Sequence, residues 1–192
     1  MSAVDRKVYL LVDGENIDRT LGQILSKKPK PEQRPRWDKI KAFVEKEFQA
    51  ACRPLFFLNA NDGVPGPFIQ ALKVIDFIPI PLKGDAEKVV DEGILKTLKA
   101  IQVKLSSDAE LPGVALVSHD ADFKELLATL AGPKRHLAII AFKEYLSGEY
   151  QDIPNLRIFD LEEDVLAFKD GCGPLPRLRA INIEDFDPSK FL

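Results

Sequence analysis

Apolar and polar positions along this chain follow two alternating periods, regular enough to lay out a fold. Short runs rich in Val, Leu, Ile and Phe predict strands at residues 7–13, 54–59, 77–82, 113–118, 136–142 and 156–160. Between them, apolar spacings of three and four predict helices at 17–25, 37–51, 67–74, 86–105 and 123–130. The fourth helix has the clearest stripe, with Val90, Ile94, Leu98, Ile101 and Leu105 on one face. Leu95 widens that stripe, which sets Asp91, four residues earlier, at the border of the sheet side. Runs such as YLLV and VALV are apolar throughout, as strands buried on both faces are. The βα alternation therefore predicts an α/β domain of three layers, with helices on both faces of a mainly parallel central sheet.

Two stretches break the rhythm. Residues 26–36, SKKPKPEQRPR, carry three prolines and five basic residues against one Glu, and predict a loop without regular structure. Lys27, Lys28, Lys30, Arg34 and Arg36 of that loop either hold a nucleic-acid backbone or form a solvated face. Residues 170–192 open on Gly and Pro, which divides the chain into a domain at 1–169 and a C-terminal extension at 170–192. Leu178, Ile181, Ile183, Phe186 and Phe191 give the extension enough apolar surface to dock on the domain, on a second copy or on another protein.

Composition narrows the partners more than the fold. A net charge of −3 provides no basic field over the whole molecule, so a nucleic acid needs a local patch. The longest apolar runs, LAIIAF and YLLV, are too short to span a bilayer, and no membrane partner is expected. The N-terminal stretch lacks a secretory apolar region, and Cys52 and Cys172 lack metal-binding spacing. Both are expected as free thiols in a cytoplasmic protein.

The chemistry is carried by acids placed where apolar strands end. Asp13 closes KVYLLVD and Asp120 follows GVALVSH, which puts both at the carboxyl edge of the sheet, where ligands of open α/β sheets bind. Asp122 lies two residues beyond Asp120, and also starts an Asp-x-x-Glu capping box that ends at Glu125. Asp91 falls in the third turn of the predicted fourth helix, a poor place for Asp unless it has a role, with Glu87 one turn before it as a helper. Asp85 follows Gly84 ahead of that helix and reads as its cap. Asn16 either orients a carboxylate or phosphate, or caps a helix beginning at Ile17. Converging Asp13, Asp91, Asp120 and Asp122 would raise one another's pKa values unless a cation neutralised them. All-oxygen ligands favour Mg²⁺ or Mn²⁺, and so metal-assisted chemistry at phosphorus.

His119 makes a local pair with Asp120, but a histidine-ligated phosphohydrolase site would need more partners than His136 supplies. Packing, with substrate contact or proton transfer as alternatives, is the expectation for His119. Trp37 and Phe68 begin helices, where an aromatic residue serves either the core or base stacking. No Walker A sequence, Rossmann glycine fingerprint or serine elbow is present.

Asp13-Gly14-Glu15-Asn16, Lys83-Gly84-Asp85 leading to Asp91, and Ser118-His119-Asp120-Ala121-Asp122-Phe123 together resemble the NYN domain family. NYN domains, the LabA-like proteins among them, belong to the PIN-like nuclease superfamily. The resemblance covers about Val8 to Leu161 and leaves the extension unmatched. It implies a PIN-like Rossmannoid fold and Mg²⁺- or Mn²⁺-dependent cleavage of RNA. It places Asp13, Asp91, Asp120 and Asp122 as metal-binding and catalytic acids, and Asn16 as their polar helper. His119 stands where the family usually has Gly, and the Lys-Gly-Val-Asp pattern is one residue short at Asp85. The expectation is a metal-dependent ribonuclease. Its rivals are a noncatalytic RNA- or protein-binding module and, further off, a Toprim-like phosphotransfer domain, which would need Glu where this chain ends its first strand on Asp13.

Overall fold

Six strands form one all-parallel sheet in the order β3-β2-β1-β4-β5-β6. They are β1 (Lys7–Asp13), β2 (Ala51–Asn59), β3 (Ile78–Leu82), β4 (Gly113–Val117), β5 (Leu137–Ala141) and β6 (Leu156–Asp160). The helices are α1 (Gly14–Leu25), α2 (Trp37–Phe48), α3 (Gly66–Val74), α4 (Val89–Leu105) and α5 (Lys124–Leu130). This computed structural model describes residues 7–84, 88–105, 113–132, 136–168, 174–178, 180–181, 183–190 and 192. The expected roles of Asp85 and Glu87, the thiol of Cys172 and the apolar Phe191 fall outside those residues, as does the side chain of Leu105.

Alternation along β1 explains the layers. Val8, Leu10 and Val12 enter one core with α1, α2 and α3, while Leu11 enters the other with α4 and α5. The expected three-layer α/β/α arrangement is therefore the fold. Every residue of β4 and β5 is buried, which is why those segments are continuously apolar. Pro79 and Pro81 sit in β3, an edge strand, where missing N–H donors do the least harm.

Element ends moved where capping or pairing decided them. The second helix was expected to reach residue 51, but stops at Phe48 with Gln49 in the left-handed region at φ 49°. Ala51 is then free to start β2 opposite Lys7, and β2 pairs along the whole of β1. The first helix begins at Gly14 rather than Ile17, because Asp13 caps it. The described part of the fourth helix starts at Val89, so Asp91 belongs to its first turn and not its third. An acid there interacts favourably with the helix dipole, which removes the propensity objection.

The basic segment is not structureless. Pro29 and Pro35 are buried and residues Pro31–Gln33 form a 3₁₀ turn. Arg34 grips Asp18 of α1 through two contacts, at 3.1 and 2.6 Å, and Arg36 pairs with Asp38 at 2.7 Å. Lys27, Lys28 and Lys30 remain exposed. Part of the extension also joins the fold: Leu175 packs on the α1–α3 core, and the side chain of Arg177 is only 2% exposed. Beyond it Leu178, Ile181, Ile183 and Phe186 are exposed.

Candidate metal centre

The strand order reverses direction between β1 and β4, and the candidate acids gather at that switch point. β1 ends on Asp13, and β4 leads through Ser118 and His119 to Asp120. Asp91 comes from the first turn of α4 on the neighbouring face. Gly93 permits the close approach of that helix to the sheet, since a Cβ there would lie 2.3 Å from a methyl of Leu82.

Asp91, Asp120 and Asp122 each offer a carboxylate oxygen, and these oxygens lie within 4.8 Å of one another. Asp13 is not in that close group but stands behind it, 2% exposed. Its Oδ1 accepts from the Asn16 N–H at 3.1 Å and its Oδ2 from the Ser118 hydroxyl at 3.1 Å. Burial, opposed by the Asn16 N–H and reinforced by the charge of Asp91, pushes the Asp13 carboxyl up to about 6. Burial also raises Asp91, with the Asp120 charge adding to it and the Lys88 ammonium opposing it.

Ser118 ties the two strand ends together. Its hydroxyl donates to Asp13 and accepts from the Asp120 N–H at 3.2 Å. Asp120 in turn accepts from the Asp122 N–H at 3.0 Å, which makes Asp120 the cap of the short 3₁₀ turn Ala121–Phe123. The capping box expected from Asp122 and Glu125 does not form, because that turn precedes α5 and Phe123 occupies the cap position without a side-chain bond. Asp122 instead takes the ammonium of Lys88 at 2.6 Å. The buried Tyr150 hydroxyl donates to the Asp120 carbonyl and holds the loop from below.

Asn16 and His119 form the frame of the site rather than its open surface. The Asn16 side-chain oxygen accepts from the His119 N–H at 2.8 Å and lies 2.9 Å from His119 Nδ1. His119 Nε2 accepts the Phe142 N–H at 2.8 Å, so the proton of the neutral ring belongs on Nδ1 and points to Asn16. Thr20 Oγ1 lies 3.2 Å from the same Nδ1. Burial drives the His119 pKa down to about 4, and its ring stacks on Phe142 at 5.6 Å. Both ring nitrogens are engaged internally, as the packing reading expects, and neither is open to the substrate contact that was its alternative. Asn16 does not cap α1; it lies inside the helix and its amide, 9% exposed, orients the β4 turn.

Lys88, Ser118 and Tyr150 complete the site without having been singled out from the sequence. Ser118 was signalled by its place before the His-Asp pair; Lys88 and Tyr150 carry no local pattern. Trp37 is buried against Phe56, with ring centroids 5.0 Å apart, as a core residue would be. Cys52 is a free thiol, and burial pushes it up to about 12, so it is unreactive at neutral pH.

No protein-family model matches this chain, and no curated protein matches it. Among solved structures, the chain is similar to a crystal structure of a protein of unknown function from Vibrio parahaemolyticus. The two share 19% identity with a TM-score of 0.63, over 85% of this chain and 98% of that one. A likeness at that identity supports the α/β/α fold alone. Among the described residues, no helix is long and apolar enough to cross a membrane.

Proposed function

We propose that this protein is a metal-dependent ribonuclease of the PIN-like type. The observation that carries the reading is the convergence of Asp91, Asp120 and Asp122 within 4.8 Å, at the switch point of a parallel sheet. The donor set fits a hard divalent cation: every ligand is a carboxylate, and none of the described neighbours adds sulfur or an accessible imidazole. Asp91, Asp120 and Asp122 would hold Mg²⁺ or Mn²⁺, with Asp13 as a fourth acid whose oxygens each keep a lone pair. A cation there supplies charge stabilisation and a lowered water pKa for an in-line attack at phosphorus.

The chain's own groups then have distinct tasks. Ser118 and the Asn16 N–H fix the orientation of Asp13, and the Asp120 turn is set by Ser118 and Tyr150. His119, kept neutral, locks Asn16 and the end of β5 into one frame. Lys88 is more than half exposed beside Asp122, where its ammonium can meet a phosphate oxygen. Exposed Lys27, Lys28 and Lys30 supply local basic surface on a chain of net charge −3. The order of acids that resembles the NYN family supports RNA as the strand cut.

Incubation of purified protein with labelled single-stranded RNA tests the reading. Cleavage is expected in Mn²⁺ or Mg²⁺ and not in EDTA, and Asp120→Asn is expected to reduce it by roughly 100-fold. Equal cutting by both proteins would assign the activity to a contaminant, and RNA binding without cutting would leave the noncatalytic module. A second expectation concerns Lys88. Replacing it with Met removes a cation that competes for Asp122, so Mn²⁺ binding measured by calorimetry should tighten several-fold. Unchanged or weaker binding would place the metal away from Asp122.

A further inference from the structure

A cavity of about 390 Å³ opens over the carboxyl ends of β1 and β2, and the phosphodiester chemistry above makes no use of it. Gly14, Glu15, Trp37, Phe56, Phe68 and Asn59 line it, and the Asp18–Arg34 ion pair closes one side. Phe56 meets Trp37 edge-on at 5.0 Å and Phe68 edge-on at 5.3 Å, so three rings define the apolar wall. The wall depends on Gly14: a Cβ there would lie 2.5 Å from the Phe56 ring. Gly14 follows Asp13 at the end of β1, so the cavity opens at the same carboxyl edge of the sheet that carries the acids. A space of this size walled by aromatic rings suits a flat π-system.

Its polar wall selects among the bases. Glu15 is exposed, accepts the Asn59 N–H at 3.2 Å, and makes no other bond among the described residues. Both Asp18 oxygens are occupied by Arg34, which leaves Glu15 as the cavity's open carboxylate. A carboxylate can accept from two adjacent N–H groups at once, and on a nucleobase edge only guanine, through N1–H and its 2-amino group, presents that pair. Uracil offers one N–H between two acceptors, and in adenine and cytosine the amino group stands beside an acceptor nitrogen. The Asn59 side-chain oxygen accepts from the Asn61 N–H at 2.9 Å, which turns its amino group into the donor for guanine O6.

We propose that this cavity binds an unpaired guanine base, positioning the adjoining phosphate of an RNA strand for the acids at Asp91, Asp120 and Asp122. The proposal rests on the ribonuclease reading for its strand, but base binding is measurable without any metal. Trp37 is the chain's one tryptophan, so its emission reports on this cavity alone. Titration of the full chain in EDTA with GMP, AMP, CMP and UMP should give a saturable emission change at about tenfold lower GMP than UMP. Glu15→Gln should erase that difference, and Phe68→Ala should weaken all four by roughly tenfold. Failure of every nucleotide to change the emission saturably, or equal midpoints for GMP and UMP, would overturn the proposal. Cleavage assays in Mn²⁺ with RNAs of one guanine or none separate the two readings. Metal-dependent cutting indifferent to guanine sinks the base site and leaves the ribonuclease. GMP-selective binding with no cutting of either RNA supports the base site and sinks the ribonuclease.

Discussion

Asp13→Asn should make the metal-free protein more stable than wild type at pH 8, by about 3 kcal/mol, while abolishing metal-dependent cleavage. The expected gain follows from the environment of the carboxyl. Asparagine keeps the bond from the Asn16 N–H with its oxygen, and its amide replaces the Ser118 bond by one of opposite direction, donating to the Ser118 oxygen. It removes a buried charge next to Asp91 and Asp120. Because the folded pKa is raised from 3.8 to about 6, ionising Asp13 opposes folding by about 3 kcal/mol at any pH well above 6. That penalty is absent below pH 3.8, so the stability advantage of the variant should vanish at pH 4.

His119 has the opposite sign in the same window. Its folded pKa, about 4 against an ordinary 6.5, means that stability is intact above 6.5 and is lost as pH falls toward 4. Near pH 5 the folded wild type holds its proton on Asp13, and the unfolded chain holds one on His119. The two effects offset, and the urea-derived stability of wild type should be nearly flat from pH 4 to 6.5 as far as these groups determine it. Asp13→Asn should unmask the histidine, with stability falling by about 3 kcal/mol across that range. Added Mn²⁺ should stabilise wild type and stabilise the variant less, because the variant keeps Asp91, Asp120 and Asp122 but loses the fourth acid. A variant less stable than wild type at pH 8 in EDTA would mean that the Asp13 charge is not under strain.

That strain could be anticipated from the sequence only in outline. β1 ending on Asp13 and β4 leading to Asp120 are legible because a strand buried on both faces is apolar throughout, and an acid at its end stands out. The bounds of β1 agree with the structure to the residue for the same reason, and those of β6, a half-buried edge strand, agree as well. Helix starts were less legible, since they depend on which side chain caps. Asp13 and Asp120 take the capping bonds that the local motifs offered, as one of two readings each, to Asn16 and Asp122. Arg34 of the basic loop looks free in the sequence because its partner Asp18 lies 16 residues away on another element. Lys88 is invisible for a related reason: it meets Asp122 only after α4 has packed against β1 and α5. What was missed is contact between elements; what was caught is the period within them.

Arg177→Ala is expected to destabilise the protein by about 3 kcal/mol at pH 7, although residue 177 lies in a segment that reads as an appendage. Its side chain is 2% exposed, and the guanidinium contacts Asp160, Glu144 and Glu162 and lies over the Phe142 ring at 4.9 Å. Removing it would leave Asp160, 1% exposed, without its cation. Backbone N–H groups of Lys143, Glu162 and Glu163 also donate to Asp160, and with Arg177 they outweigh burial and hold its carboxyl well below the usual range. A depressed folded pKa contributes stability above the ordinary carboxylate pKa and loses it as pH falls, so the gap between wild type and variant should shrink below pH 4. Truncation makes the same point by another route. A chain ending at Leu178 should unfold in urea like wild type, because the residues described beyond it are exposed. A chain ending before residue 174 should lose as much as Arg177→Ala. If both truncations matched wild type, the clamp would contribute nothing and the fold would end before residue 174. If the shorter one alone fails, the folded unit includes the clamp, and Arg177 steadies Phe142, on which the ring of His119 stacks behind the acidic site.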